Sequence, residues 1–355
     1  MEKILIKNGK VFDGENLKSA DVFVVNGVVK KIEKDINENA DFIFDASDKF
    51  VLPGLIDLHV HLKGFAWGDF GVDANDCSFP FGATAVNDAG SIYGDKNLLK
   101  TFKVKSTVFV NSTIKNNRAN IFEIENLLEK YDECAVGIKV YFDTTISEVT
   151  DVTPLKEICE FARKRDLKVM VHSTNSPTSM IEIVETLSSG NILTHIYHGG
   201  DNNCAEDDFL ALKVAKQKGV VLDTGFAGHI HTDFGVLKSA FENGFLPDTI
   251  SSDITSFSIH KRGGDYGITM CMSFAKYLGM SDIDVFKAVT TTPAKVLNKQ
   301  NEWGALKIGN QADVCVLEFT DEGFDLIDES GNQLKSEKGY RCVLTVLDGQ
   351  VVYKY

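Results

Sequence analysis

Four histidines, one lysine and one aspartate fall where short apolar runs of this chain end in a polar residue. His59 and His61 close the run Asp57-Leu58-His59-Val60-His61. Residues two apart on a strand face the same side, so this pair can share one cation, and imidazole suits zinc and related divalent metals. Taken alone, His-x-His reads equally well as two histidines packed in a core. Lys139 lies inside Gly137-Ile138-Lys139-Val140-Tyr141, where a buried ammonium is expensive. It either snorkels to the strand end or pairs with a carboxylate, or it is carboxylated by CO₂, which replaces its charge with an anionic bridging ligand. His172 ends Val169-Met170-Val171-His172 and His195 ends Ile192-Leu193-Thr194-His195. Each alone more often reads as a hydrogen-bonded structural histidine, and Asp253 in Ser251-Ser252-Asp253 alone reads as a helix cap. Independent structural reasons for all six are hard to sustain, so the set points to a metal-dependent site.

The elements that must position these residues repeat strand then helix from about 53 to 305. Eight apolar segments end at His59/His61, Asp88, Asn111, Lys139, His172, His195, Asp223 and Asp253. Between them, 153–165 and 281–297 carry the i, i+3, i+4 apolar spacing of amphipathic helices, the second opening with Ser281 and Asp284 as an approximate capping box. Eight such units predict an α/β fold, a (β/α)₈ TIM barrel, with functional residues at the strand ends. An open doubly wound sheet is the alternative, but no Gly-rich nucleotide loop follows the first strand. Residues 3 to 52 and the C-terminus are β-rich instead. Asn8-Gly9, Asn26-Gly27 and Asp348-Gly349 each read as a hairpin turn. This predicts a small β-sandwich domain built from 1–52 and 306–355, around a barrel at 53–305.

The 355 residues accommodate a barrel of about 250 residues with a further small domain. Apolar residues at 43% and charged residues at 25% are ordinary for a globular enzyme. A net charge of −14 repels phosphate backbones and anionic bilayers, so neither nucleic acid nor membrane is an expected partner. The N-terminus does not read as a signal peptide, and no apolar run approaches the roughly 18 residues of a membrane span. Seven scattered cysteines without a CxxC pair suit reduced thiols in a cytoplasm.

Pro53-Gly54-Leu55-Ile56-Asp57-Leu58-His59-Val60-His61 resembles the opening signature of the amidohydrolase superfamily, which includes dihydroorotases, hydantoinases, D-aminoacylases and N-acetylglucosamine-6-phosphate deacetylases. The order HxH, Lys, His, His, Asp resembles its binuclear subtype, and the likeness covers essentially the whole chain. The segment from Gly304 to Asp313 looks like the return into the small sandwich domain of those enzymes. Within the superfamily, Gly82–Gly90, Val136–Lys139 and Leu193–His195 are similar to a dihydroorotase-like, or deacetylase, group. The chain departs from that group in two places. Tyr141 stands where an arginine is expected, and His198 where an asparagine is expected, so the substrate differs or is held differently.

The resemblance implies two divalent metal ions, zinc first among them. His59, His61 and Asp253 hold the more buried ion, His172 and His195 the more exposed one, and carboxylated Lys139 bridges the two. It implies that a metal-activated hydroxide attacks the substrate carbonyl while Asp253 takes the proton and passes it to the leaving group, so no cysteine nucleophile is needed. Asn111, Tyr141, His198 and His229 are candidate substrate contacts, with His231 a weaker one. The expected reaction is cleavage of an amide or ester bond in a small, carboxylate-bearing N-acyl or O-acyl compound. A cyclic-amide hydrolase fits the same metal set. A nucleobase-type deaminase fits less well, because the mononuclear deaminases lack the bridging lysine. A metal-free assembly protein fits least, since all six metal-site residues are present. A homo-oligomer is compatible with the base rate for such enzymes.

Overall fold

A computed structural model describes residues 2–227, 230–261 and 266–355. Seven strands lie parallel and pair in chain order: β1 (Leu55–Val60), β2 (Ala83–Ser91), β3 (Lys105–Ser112), β4 (Ala135–Tyr141), β5 (Lys168–His172), β6 (Ile192–Thr194) and β7 (Val221–Leu222). Residues 249–254 lie against both edges of this sheet. Thr249 N donates to Leu222 O (3.1 Å), and Thr224 N to Thr249 O (3.2 Å). On the other side Asp253 N donates to His59 O (2.8 Å), and His61 N to Ile254 O (3.1 Å). The sheet is therefore curled, with the eighth predicted segment bridging β7 and β1.

Alternation along the strands sorts the side chains, because successive residues of a strand point to opposite faces. Val108 and Val110, Ile138 and Val140, Val169 and Val171 pack outward with the helices that follow the strands. Among these helices are Ile121–Tyr131 after β3 and Thr153–Arg163 after β4. Phe109 and Met170 belong to a separate inner cluster with Ile56, Leu58, Ala85 and Trp303. Lys139 takes the same register as Asn111 on β3 and Met170 on β5, so the alternation that fills the inner core also aims Lys139 inward.

The helix expected over 281–297 is two helices, Asp282–Ala288 and Thr291–Val296. Ser281 caps the first as expected, accepting from Asp284 N at 3.2 Å. The break follows from Pro293, which lacks the N–H that would bond Val289 O and whose ring crowds that carbonyl. Val289 O instead accepts from Ile56 N of β1 at 2.8 Å.

Both termini contribute to one eight-stranded sheet, in which Phe50–Pro53 links Lys3–Phe12 to Val314–Thr320. It curls over a core of its own that includes Ile6, Val22, Val51, Val316 and Val346. Asn26-Gly27 and Asp348-Gly349 form the expected hairpin turns between adjacent strands. Asn8-Gly9 does not. It is an irregularity inside the ten-residue strand Lys3–Phe12, where Asp21 Oδ1 accepts from Asn8 N at 2.7 Å. Among the described residues, no helix is long and apolar enough to cross a membrane.

Candidate active site

The strand ends bring five of the predicted ligands into two groups. His59, His61 and Asp253 form one; His172 and His195 form the other, joined by His231. His59 Nε2 lies 3.2 Å and His61 Nε2 2.9 Å from Asp253 Oδ1. That oxygen is buried and has no hydrogen-bond donor. Burial pushes the Asp253 carboxyl up, and the facing imidazoles of His59, His61 and His231 bring it below its usual value. Burial drives His59 down to about 4. The contact sets one carboxylate oxygen against two ring nitrogens, which is a ligand arrangement more than an ion pair.

Each of three rings is fixed from behind, which decides which nitrogen keeps its lone pair. Thr194 Oγ1 donates to Asp223 Oδ2 (2.7 Å), so it accepts from His59 Nδ1 (3.2 Å), leaving His59 Nε2 as the ligand atom. His195 Nδ1 donates to Gly225 O (2.7 Å), leaving Nε2. His172 Nε2 donates to Asp143 Oδ2 (3.2 Å), leaving Nδ1. Gly225 must be glycine here: its φ is +45°, and a Cβ would lie 2.2 Å from Thr194 Oγ1 and 2.6 Å from His195 Nδ1. His195 and Asp253 themselves have φ of 60° and 49°, a left-handed conformation that non-glycine residues adopt at some expense.

Lys139 is fully buried. Its Nζ sits 3.0 Å from His59 Nε2 and 3.6 Å from Met170 Sδ. Burial pushes its ammonium down to about 8, so it gives up its proton far more readily than an exposed lysine. Its charge also depresses His172 and His195, each of which burial has already lowered. The donor set fits divalent cations: imidazole nitrogens, a carboxylate with an undonated oxygen, and an amine that a CO₂ adduct would turn anionic.

Of the candidate substrate contacts, Asn111 is buried with Oδ1 unpaired, and His198 is buried with both ring nitrogens unpaired. Burial pushes His198 down to about 4, so its ring is neutral. Tyr141 spends its hydroxyl on Ala89 O at 3.2 Å, and its ring lies 5.6 Å from that of His172. His229 lies outside the described residues. Asp88 holds the start of the loop after β1, accepting from Leu62 N at 2.6 Å.

Sequence reasoning underweighted His231, whose ring stands 4.4 Å from His195 and 4.9 Å from His172. Its only signal was a second His-x-His after the seventh strand. The orienting groups Asp143, Thr194 and Asp223 were passed over too. Asp143 had a usable signal, lying four residues beyond Lys139 just past the end of β4. Asp57 ties the eighth segment to β1, accepting from Ser252 N (3.1 Å) and Ser252 Oγ (2.5 Å).

The curled sheet carries two residue groups that could hold metal ions, and comparison with known proteins says which family builds such a sheet. Residues 50–352 match the amidohydrolase family. The chain belongs to that family and is a hydrolase; binuclear metal use is typical of its members. A deacetylase of Brucella anthropi is 28% identical over 92% of this chain and 86% of its own length. A deacetylase of Agrobacterium fabrum is 26% identical over 87% and 80%. Among solved structures, a dihydroorotase superposes with a TM-score of 0.87 at 24% identity, covering 100% of this chain and 98% of that one. An adenine deaminase gives 0.86 at 23% identity, with 100% of each chain covered.

Proposed function

We propose that this chain is a binuclear metal-dependent hydrolase that cleaves an amide or ester bond in a small N-acyl or O-acyl compound. The observation that carries this is the convergence of His59 and His61 on the undonated Asp253 Oδ1, with the buried Lys139 amine 3.0 Å from His59. The deacetylase names of its relatives support the acyl-group reading. In this reading 249–254 acts as the eighth strand of a (β/α)₈ barrel at 53–305, and 1–52 with 306–355 form the accompanying β domain.

His59, His61 and Asp253 would hold one cation, and His172, His195 and His231 the other, with Lys139 as the carboxylated bridge; zinc suits such a nitrogen-rich set. Bound there, the cations supply Lewis acidity for a carbonyl and bring the pKa of water toward neutrality. The protein's own part is positioning and proton movement. Asp253, held ionised, accepts a proton and passes it to the leaving group. The Asp223–Thr194 pair fixes the His59 tautomer, and Asp143 fixes that of His172. Asn111 and His198 keep buried polar atoms for a substrate, since such atoms are otherwise paired in folded proteins. The free state of all seven cysteines accords with a reducing, cytoplasmic setting.

Elemental analysis of wild type and Lys139→Ala, both prepared with bicarbonate, tests the site. About two divalent metals per wild-type chain, falling sharply in Lys139→Ala, are expected. Hydrolysis of N-acyl, O-acyl or cyclic amides by wild type should fall about 100-fold or more in Asp253→Asn. About one metal in both proteins would remove Lys139 from the bridge.

A further inference from the structure

The surroundings of Tyr141 are built to hold its ring in place. Tyr141 follows Lys139 by two residues on β4, so both face inward. Its hydroxyl is committed to Ala89 O. Gly90, at φ +114°, lets the backbone pass beneath the ring; a Cβ there would lie 2.5 Å from the hydroxyl and 3.2 Å from ring carbons. The ring thus offers no polar atom to a ligand, only a face.

A second aromatic continues that face outward. Trp67, 42% exposed, lies 5.4 Å from Tyr141 at an interplanar angle of 33°. Phe70 on the same loop packs 5.0 Å from His61 and 6.0 Å from Phe257, itself 46% exposed. The loop is held in place. Val72 N donates to His61 O (2.8 Å) and Lys63 N to Val72 O (2.9 Å), and Ser256 N donates to Phe70 O (2.9 Å) from beyond the eighth strand position. Rings therefore flank both ligand groups, Phe70 beside His61 and Tyr141 beside His172.

Aromatic faces pair by offset stacking, so a flat uncharged group would stack on this wall, where Lys139 Nζ lies 5.5 Å from the Tyr141 ring centroid. We propose that Tyr141 and Trp67 form a subsite for an aryl or similarly flat apolar group adjoining the scissile carbonyl. This specificity rests on the hydrolase reading above.

Two measurements test it separately from that reading. The first compares N-ethylacetamide, N-ethylphenylacetamide and N-benzylacetamide, with the corresponding esters, as substrates of the metal-loaded enzyme. One aryl position should be preferred, and Trp67→Ala should erase about three- to tenfold of that preference, read as the aryl-to-ethyl ratio within each enzyme, the span a stacked ring pair supplies. The second needs no turnover. The chain has two tryptophans, 67 and 303, so Trp303→Phe leaves Trp67 as the lone reporter. Benzamide should quench its fluorescence saturably and acetamide should not, and Tyr141→Leu should weaken the benzamide response. Hydrolysis without aryl preference, or equal responses to the two amides, overturns the subsite and leaves the hydrolase reading intact. Saturable benzamide quenching with no hydrolysis of any member supports the subsite and sinks the proposed N-acyl or O-acyl substrate class.

Discussion

Replacing Lys139 by methionine separates what this residue costs from what it does. In the metal-free protein its ammonium is fully buried and pushed from 10.5 to about 8 by desolvation. At about 1.4 kcal/mol per tenfold change in proton affinity, holding that charge inside opposes folding by about 3 kcal/mol at pH 7. The sign follows from the direction of the shift. The folded pKa lies below the unfolded one, so protons favour the unfolded chain. The penalty is complete below about pH 8 and fades as pH rises toward 10.5. Methionine fills nearly the same volume beside Met170 without the charge. Metal-free Lys139→Met should therefore match or exceed wild type in stability at pH 7, by up to about 3 kcal/mol, and lose that advantage by pH 10. With zinc and bicarbonate the order should reverse, because only wild type gains stability from bound metal. Denaturant unfolding at pH 7 and 10, with and without metal, reads both effects. A metal-free variant clearly less stable than wild type at pH 7, or equal metal-induced stabilisation of the two, would refute the reasoning.

Two further substitutions address how the ligands are oriented. Asp223→Asn weakens the chain through Thr194 to His59 Nδ1, and metal affinity should fall about 10- to 100-fold with the fold retained; competition with a chelator measures this, and an unchanged affinity would deny Asp223 its orienting role. Gly225→Ala meets both a positive φ and the contacts with Thr194 and His195, and should destabilise the protein by about 2 kcal/mol or more while lowering metal content. A variant with wild-type melting temperature and metal content would show that the backbone there shifts freely.

The chain alone specified the strand–helix repeat, because each strand end pairs an apolar run with one polar residue at regular spacing. The six ligand candidates were legible for the same reason: His59, His61, Lys139, His172, His195 and Asp253 are chemically out of place at the ends of such runs. Hairpin turns were legible where strands adjoin in sequence, at Asn26-Gly27 and Asp348-Gly349. Asn8-Gly9 misled because the same dipeptide serves an irregular strand once a distant side chain, Asp21, binds its backbone. The break at Val289 was hidden similarly, since the carbonyl that Pro293 releases finds its donor, Ile56 N, far away in the chain.

Tertiary structure alone decided which atoms of the site face one another. Apart from a second His-x-His, nothing in the sequence around His231 sets it apart from an exposed loop histidine, yet the fold brings its ring beside His172 and His195. Nor does sequence show that Asp223 reaches His59 through Thr194, or that Trp67 extends the face of Tyr141 across 73 intervening positions. Local composition and period fix the type of element a segment forms and the face each residue takes. Ring tautomers, undonated oxygens and aromatic walls depend on contacts between elements, and those exist only once the sheet has curled and residues 249–254 have met both of its edges.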